Sequence, residues 1–186
     1  MKKFVSLLLA AMMALTYTLA LAEGTPSKTV EDITTVVSTT ENRDKAVIIV
    51  VEPSEVAQAY IDEMTAALEN GSAAPIDLFS EETAAAIAEV VGDTSTLEIN
   101  EIIPIAVINY TLEDGSVTAT FQTITPYSPD QTLVAVITFI NGQETEEMGL
   151  EAKANEDGTV TVRFPVEVMA KFLEAENTLL TILNTK

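Results

Sequence analysis

The sequence predicts an α+β fold, a largely antiparallel sheet of about six to eight strands packed by an N-terminal helical pair and a short C-terminal helix. Three observations carry this expectation. Two early stretches repeat apolar residues at helical spacing, and a longer later region alternates them at strand spacing. Asp-Gly and Asn-Gly pairs punctuate that later region, where tight turns need positive φ angles.

The chain opens with the order of a secretory signal: Lys2 and Lys3, an apolar run from Phe4 to Leu15, and a small-residue site at Ala20-Leu21-Ala22. An uncleaved anchor is the competing reading, since Phe4 to Leu21 is nearly long enough to span a bilayer. Thr16, Tyr17 and Thr18 interrupt that span and favour cleavage before Glu23. The expected organisation is therefore residues 1–22 as signal peptide, 23–29 as a flexible tether around Gly24, Thr25 and Pro26, and 30–186 as one domain. No cysteine follows the cleavage site, so a lipid anchor is not expected, and the product is read as secreted or extracytoplasmic.

Without Lys2 and Lys3, seven basic residues face 29 acidic ones, a net charge of −22. Salt screens such a field over about 8 Å, yet it opposes approach to phosphate backbones and anionic lipid. Neither nucleic acid nor a membrane surface is an expected partner beyond the signal peptide. The charge serves colloidal stability or attracts a cationic partner. Apolar residues make up 47% of the chain and are interleaved with the charge, which argues against disorder. With no cysteine, the stability of the domain rests on its core.

Element by element, Ile33 to Thr39 is a possible strand, and Ala46 to Val51 a stronger one, suited to burial on both faces. Ser54 caps a helix whose Val56, Tyr60, Met64 and Leu68 recur every four residues before Gly71. Ser80 starts a second helix presenting Ala84, Ile87, Ala88 and Val91, ended by Gly92. Leu97 to Tyr110 reads as a strand, with Pro104 suggesting an edge or a bulge. Asp114-Gly115 turns the chain into Val117, Ala119 and Phe121. Thr132 to Ile140 is apolar on both parities, as a central strand requires. Asn141-Gly142 predicts a hairpin whose return strand turns Met148, Leu150 and Ala152 inward. Asp157-Gly158 leads into Val160, Val162 and Phe164, Pro165 opens a short helix, and a closing strand follows Asn177.

Two segments resemble each other: NYTLEDGSVTATF from Asn109 to Phe121 and AKANEDGTVTVRF from Ala152 to Phe164. Gln131-Thr132-Leu133 and Asn177-Thr178-Leu179 match further on. Internal duplication explains this, and so does convergence on one turn chemistry.

Chemistry is restricted. The chain has neither histidine nor cysteine, which removes imidazole-based triads, imidazole-ligated zinc and thiol nucleophiles. No phosphate-binding glycine loop, nucleophile elbow or dinucleotide fingerprint is present, so no cofactor is expected. Carboxylates, or serine with lysine, are what remain for catalysis. A two-residue Asn141-Gly142 turn sets Phe139 opposite Glu144 and Ile137 opposite Glu146, placing both carboxylates on the apolar side. Burial there would suit a binding carboxylate or an acid catalyst, whereas a hydrated hairpin tip, or a bulge at Glu146-Glu147, would leave them in water. Tyr127, between Pro126 and Pro129, is an aromatic candidate for stacking on a sugar or partner, or else packs over the sheet edge. Glu113-Asp114 and Glu156-Asp157 invite a calcium reading but lack EF-hand spacing.

The expected binding residues are therefore Tyr127, Glu144 and Glu146. The expected function is a non-catalytic, extracellular interaction module of bacterial envelope type that takes a protein or glycan partner. A carboxylate enzyme acting on extracellular glycans and a calcium-stabilised module are the alternatives. N-terminal sequencing of secreted protein is expected to begin at Glu23; retention of residues 1–22 would establish an anchor instead.

Overall fold

A computed structural model describes residues 46–123 and 126–185, together with the backbone of 36–38. The expected signal peptide, the expected tether and the remainder of the Ile33–Thr39 stretch lie outside the described residues. The elements in chain order are β1 (Val36–Ser38), β2 (Val47–Val50), α1 (Glu55–Glu69), α2 (Glu81–Val91), β3 (Leu97–Ile108), β4 (Val117–Phe121), β5 (Leu133–Asn141), β6 (Glu144–Ala154), β7 (Val160–Phe164), α3 (Val166–Phe172) and β8 (Asn177–Thr185). This is the mixed helix and strand class that the periodicities predict.

All the pairings are antiparallel, in the order β1-β4-β7-β6-β5-β8-β3-β2. Seven strands form the body and the short β1 adds at the β4 edge. The sheet curls until β1 and β4 approach β2, giving a nearly closed barrel. Side chains alternate across a strand, so the curl creates two cores. Leu133, Ala135, Ile137 and Phe139 of β5 point inward with Ile103, Ile105, Phe121, Phe164, Leu180 and Ile182. Val134, Val136 and Ile140 point outward, against Ile61 and Met64 of α1 and Ile87 of α2. The two-parity apolar pattern of β5 thus serves both cores at once.

β3 serves both cores by another device. Leu97 and Ile99 face the helices, whereas Ile103 and Ile105 face inward. A register shift between Ile99 and Glu101 reverses the parity. Pro104 follows without leaving a bond unmade. Its carbonyl accepts from Val51 N–H at 3.0 Å, and both polar backbone groups of a strand residue point to the same side. The missing donor therefore faces the side where β2 has ended.

Helix boundaries follow from their caps. Ser54 accepts from Ala57 N–H and Ser80 from Thr83 N–H. Three residues of the expected α1 stripe face the sheet, Met64 buried and Tyr60 and Leu68 packed against the outer core, but its first residue does not. Ala57, Ile61 and Met64 are buried, while Val56 is 44% exposed. The centre of the buried face thus falls on Ala57, Ile61 and Met64, with Tyr60 and Leu68 at its margin. Pro165 precedes α3 as its N-cap, and Val168, Met169 and Phe172 close one end of the inner core.

The two similar segments become β4 and the hairpin ending in β7. β4 pairs with β7, and β5, which follows the first copy, pairs with β8, which follows the second. Exchanging the two copies leaves both pairings unchanged. Phe121 and Phe164, equivalent in the two segments, meet in the core with ring centroids 6.4 Å apart.

Two glycines give opposite expectations. Gly158 has φ of +82°, and an added Cβ would stand 2.6 Å from Pro126 Cβ. Gly149 in β6 has open space around the same position. Gly158→Ala is expected to lower stability by more than about 1 kcal/mol, and Gly149→Ala to change it by less than about 0.5 kcal/mol. Urea denaturation of the two variants measures the contrast.

Candidate functional site

The hairpin that carries Glu144 and Glu146 turns one residue later than predicted. Asn141 pairs with Glu144, so Gly142 and Gln143 form the turn. Gly142 has φ of +62°, and Asn109 is the sole non-glycine described residue with positive φ. Glycine at the first central position followed by an ordinary residue is the type II′ arrangement. The Asn-Gly alternative would have required positive φ at Asn141. The slip moves the register by a whole pair, so Glu146 opposes Phe139 and Met148 opposes Ile137. Parity is preserved, and the two carboxylates remain on the inner side of the strand.

That side is open at the tip. Both glutamates are exposed, and Glu146 accepts an ion pair from Lys171 Nζ of α3 at 2.7 Å. The β5–β6 pairing is uninterrupted through this stretch, so no bulge intervenes. The desolvation that singled out these carboxylates is replaced by a hydrated rim, and an ion pair this exposed contributes little to stability.

Tyr127 lies elsewhere. The exposed ring considered for stacking is a buried one, 3% exposed and part of the inner core. Its backbone N–H donates to Gly158 O at 3.3 Å, and Pro126 packs on Gly158, which draws the loop over the β6–β7 turn. Burial, then the Glu101 carboxylate, push its phenol above the ordinary value of 10.0. Glu101 is 1% exposed and shares the inner face with Ile103. Tyr127 marks the end of the barrel where β5 starts and β6 finishes, and the hairpin tip lies at the other end of β5. The strand rise over β5 puts them about 25 to 30 Å apart, so the structure does not bring the three expected residues together.

The residue of this strand with the most partners is Glu147, on the outer face. Its Oε2 accepts from Ser80 N–H at the start of α2 at 2.8 Å, and its Oε1 accepts from Tyr60 Oη of α1 at 3.4 Å. One carboxylate thereby ties both helices to β6. Burial first, and the Glu147 charge next, raise the Tyr60 phenol to about 12. A second tether joins Ser54 Oγ, ahead of α1, to Asn177 Oδ1 at the start of β8.

Beside this clamp the outer face is hollow. A groove of about 450 Å³ lies between α2 and the β5–β6 pair, with Ile87 and Val90 on one wall and Val134, Gly149 and Leu150 across from them. Val90 is 60% exposed. A second hollow of about 590 Å³ lies along β6 beside Tyr60, Leu78, Glu147 and Met148. Sequence reasoning missed this region. The available signals were Gly149 inside a strand, which marks close approach or open space, and Val90 outside the apolar stripe of its helix.

The acidic turns have internal uses. Asp114 Oδ2 accepts from Thr111 N–H at 2.6 Å, and Asp157 Oδ1 accepts from the hydroxyl and N–H of Thr159. Those bonds hold the Asp157 carboxyl below its ordinary 3.8, as the Ser95 bonds do for Asp93. Among the described residues no three acidic side chains are grouped to hold a metal ion, and no helix is long and apolar enough to cross a membrane. No protein-family model, curated protein or solved structure matches this chain.

Two pH consequences follow. A raised tyrosine pKa means the folded state holds its proton more tightly, so the contribution of Tyr60 is full below pH 10 and is lost as pH rises through about 12. The lowered Asp93 and Asp157 values act in reverse. Their contribution is full above the ordinary carboxyl value of 3.8 and is lost as pH falls through the lower folded values. Absorbance titration of tyrosinate is expected to show Glu147→Gln lowering the Tyr60 pKa, because it removes the neighbouring charge; an unchanged value would show that Glu147 does not act on the phenol.

Proposed function

We propose that this chain is an exported, non-catalytic interaction module of bacterial envelope type, which engages a protein or glycan partner through a sheet edge and the adjoining surface. The observation that carries the reading is the outer face beside β6, where an apolar groove adjoins a strand edge that no described strand covers. The inner core supports it as well. Phe121, Ile137, Phe164, Met169 and Leu180 fill the barrel, leaving its interior to packing. Glu144 and Glu146 occupy a solvated tip, where neither is held against an enclosed substrate. In this reading the signal peptide delivers the domain and the net charge of −22 that remains after its removal keeps it soluble there.

The test is retention of envelope proteins and of a glycan array by the immobilised chain, with each retained glycan analysed for cleavage. Saturable binding of an intact partner is expected. Release of shortened glycan would replace the module with a carboxylate enzyme, and thermal stabilisation by calcium alone would favour a metal-dependent structural domain.

A further inference from the structure

The hairpin strand β6 changes partner along its length. Glu144 to Leu150 pair with β5, and Glu151 to Ala154 pair with β7. Over Glu144–Gly149 no described strand lies on the side away from β5. Alternate residues of an antiparallel strand turn both polar backbone groups to one side, so along this edge those groups face away from β5 with no described strand to pair with. Such an edge is a template for another chain.

A strand laid on this edge would alternate its side chains between two unlike surroundings. On the outer side they would meet, beside Thr145 and Glu147, the hollow lined by Tyr60 and Leu78, and at Gly149 the end of the groove, where Gly149 contributes no side chain and Ile87, Val90 and Val134 contribute apolar surface. On the inner side they would meet Glu144 and Glu146 at the hydrated rim. Glu89 and Glu151 flank the groove itself. Lys153, Arg163 and Lys171 are the basic side chains of the described residues, and of these Lys171 pairs with Glu146. A second copy of this chain is a poor occupant, because it would bring the same glutamates and the same strongly negative net charge against this edge.

We propose that the open edge of β6 binds an extended, basic peptide segment by strand addition, with apolar side chains seated in the groove beside Gly149 and alternating lysine or arginine side chains facing Glu144 and Glu146. This rests on the reading of the chain as an interaction module and names the chemistry of its partner. Backbone bonds along Thr145–Gly149 would supply affinity, the groove would select apolar residues, and the carboxylates would select positive charge.

The probe is a capped peptide of about eight residues alternating lysine and valine, titrated into the purified protein by fluorescence anisotropy, with amide exchange read over Thr145–Gly149. Binding that weakens with salt and slows exchange at those amides is expected. N-methylation of alternate peptide nitrogens should weaken it about tenfold or more, and replacing lysine with glutamate should abolish it. Gly149→Leu fills the groove from a position with open space around its Cβ, so its unfolding transition should be retained while affinity falls about tenfold. Equal binding of the N-methylated peptide, or unchanged affinity in Gly149→Leu, would overturn strand addition. Equal binding of the glutamate peptide would overturn the basic partner, and a dimer joined through Thr145–Gly149 would make the occupant a second copy. Absence of peptide binding alongside saturable retention of another protein or a glycan would remove this inference and leave the interaction module standing, whereas absence of both would remove the module too.

Discussion

The pairing of β5 with β8 is the constraint on which the other placements depend. It runs without interruption from Leu133 opposite Asn184 to Ile140 opposite Asn177. Because both strands are apolar on both faces, a slip of one residue would transpose the residues of the two cores. The inner core contains phenylalanines that meet edge to face, including Phe139 with Phe172 at 5.6 Å. The outer core contains the isoleucines and methionine of the helices. These differ in shape, so the register is fixed by packing on two sides at once. β3 then joins β8, β6 joins β5, and the helices settle on the outer face that the three strands β3, β8 and β5 share.

The charge distribution follows from that arrangement. Among the described residues most large apolar side chains are spent on the two cores, and the polar surface is left to acids with few bases among them. Where a carboxylate does have a partner, that partner is mostly a backbone N–H or a hydroxyl. Asp114, Asp157 and Asp93 cap turns, and Glu147 caps α2 from another element. Such bonds hold local geometry without cancelling charge. The molecule therefore has well-fixed turns and an uncompensated negative field.

Much of the fold was legible because the signals were local. Ser54 and Ser80 announce helix starts, glycines mark turns, and alternation in Val117–Phe121 and Val160–Phe164 gives strand faces directly. What failed needed information from across the sheet. The choice between Val56 and Ala57 as the inward residue of α1 depends on where β8 and β3 present their surfaces. Asn141-Gly142 supports two turn types, and neighbouring strands select the type II′ form. The ring of Tyr127 is covered because Gly158, distant in sequence, admits Pro126 beside it. The candidate groove was least legible, since α2 and β6 meet there only after the whole sheet has formed. Glu147 looked like its acidic neighbours, and its outward parity had no meaning until helices were known to lie on that side.

β8 follows every other described strand yet sits between β5 and β3, inside the order. During synthesis, the strands that come first can form the β6–β7 hairpin and its contact with β4, but β3 and β5 each lack a neighbour until Asn177–Thr185 emerges. The sheet is thus completed by its last strand inserting between two waiting ones, a step dominated by long-range contacts and slow by nature. Folding is held back until nearly the whole domain is present, and β5, buried along almost its full length in the finished fold, spends that interval with an exposed edge. The dense negative charge spread along the rest of the chain then acts before the native state exists, keeping such incomplete molecules apart from one another.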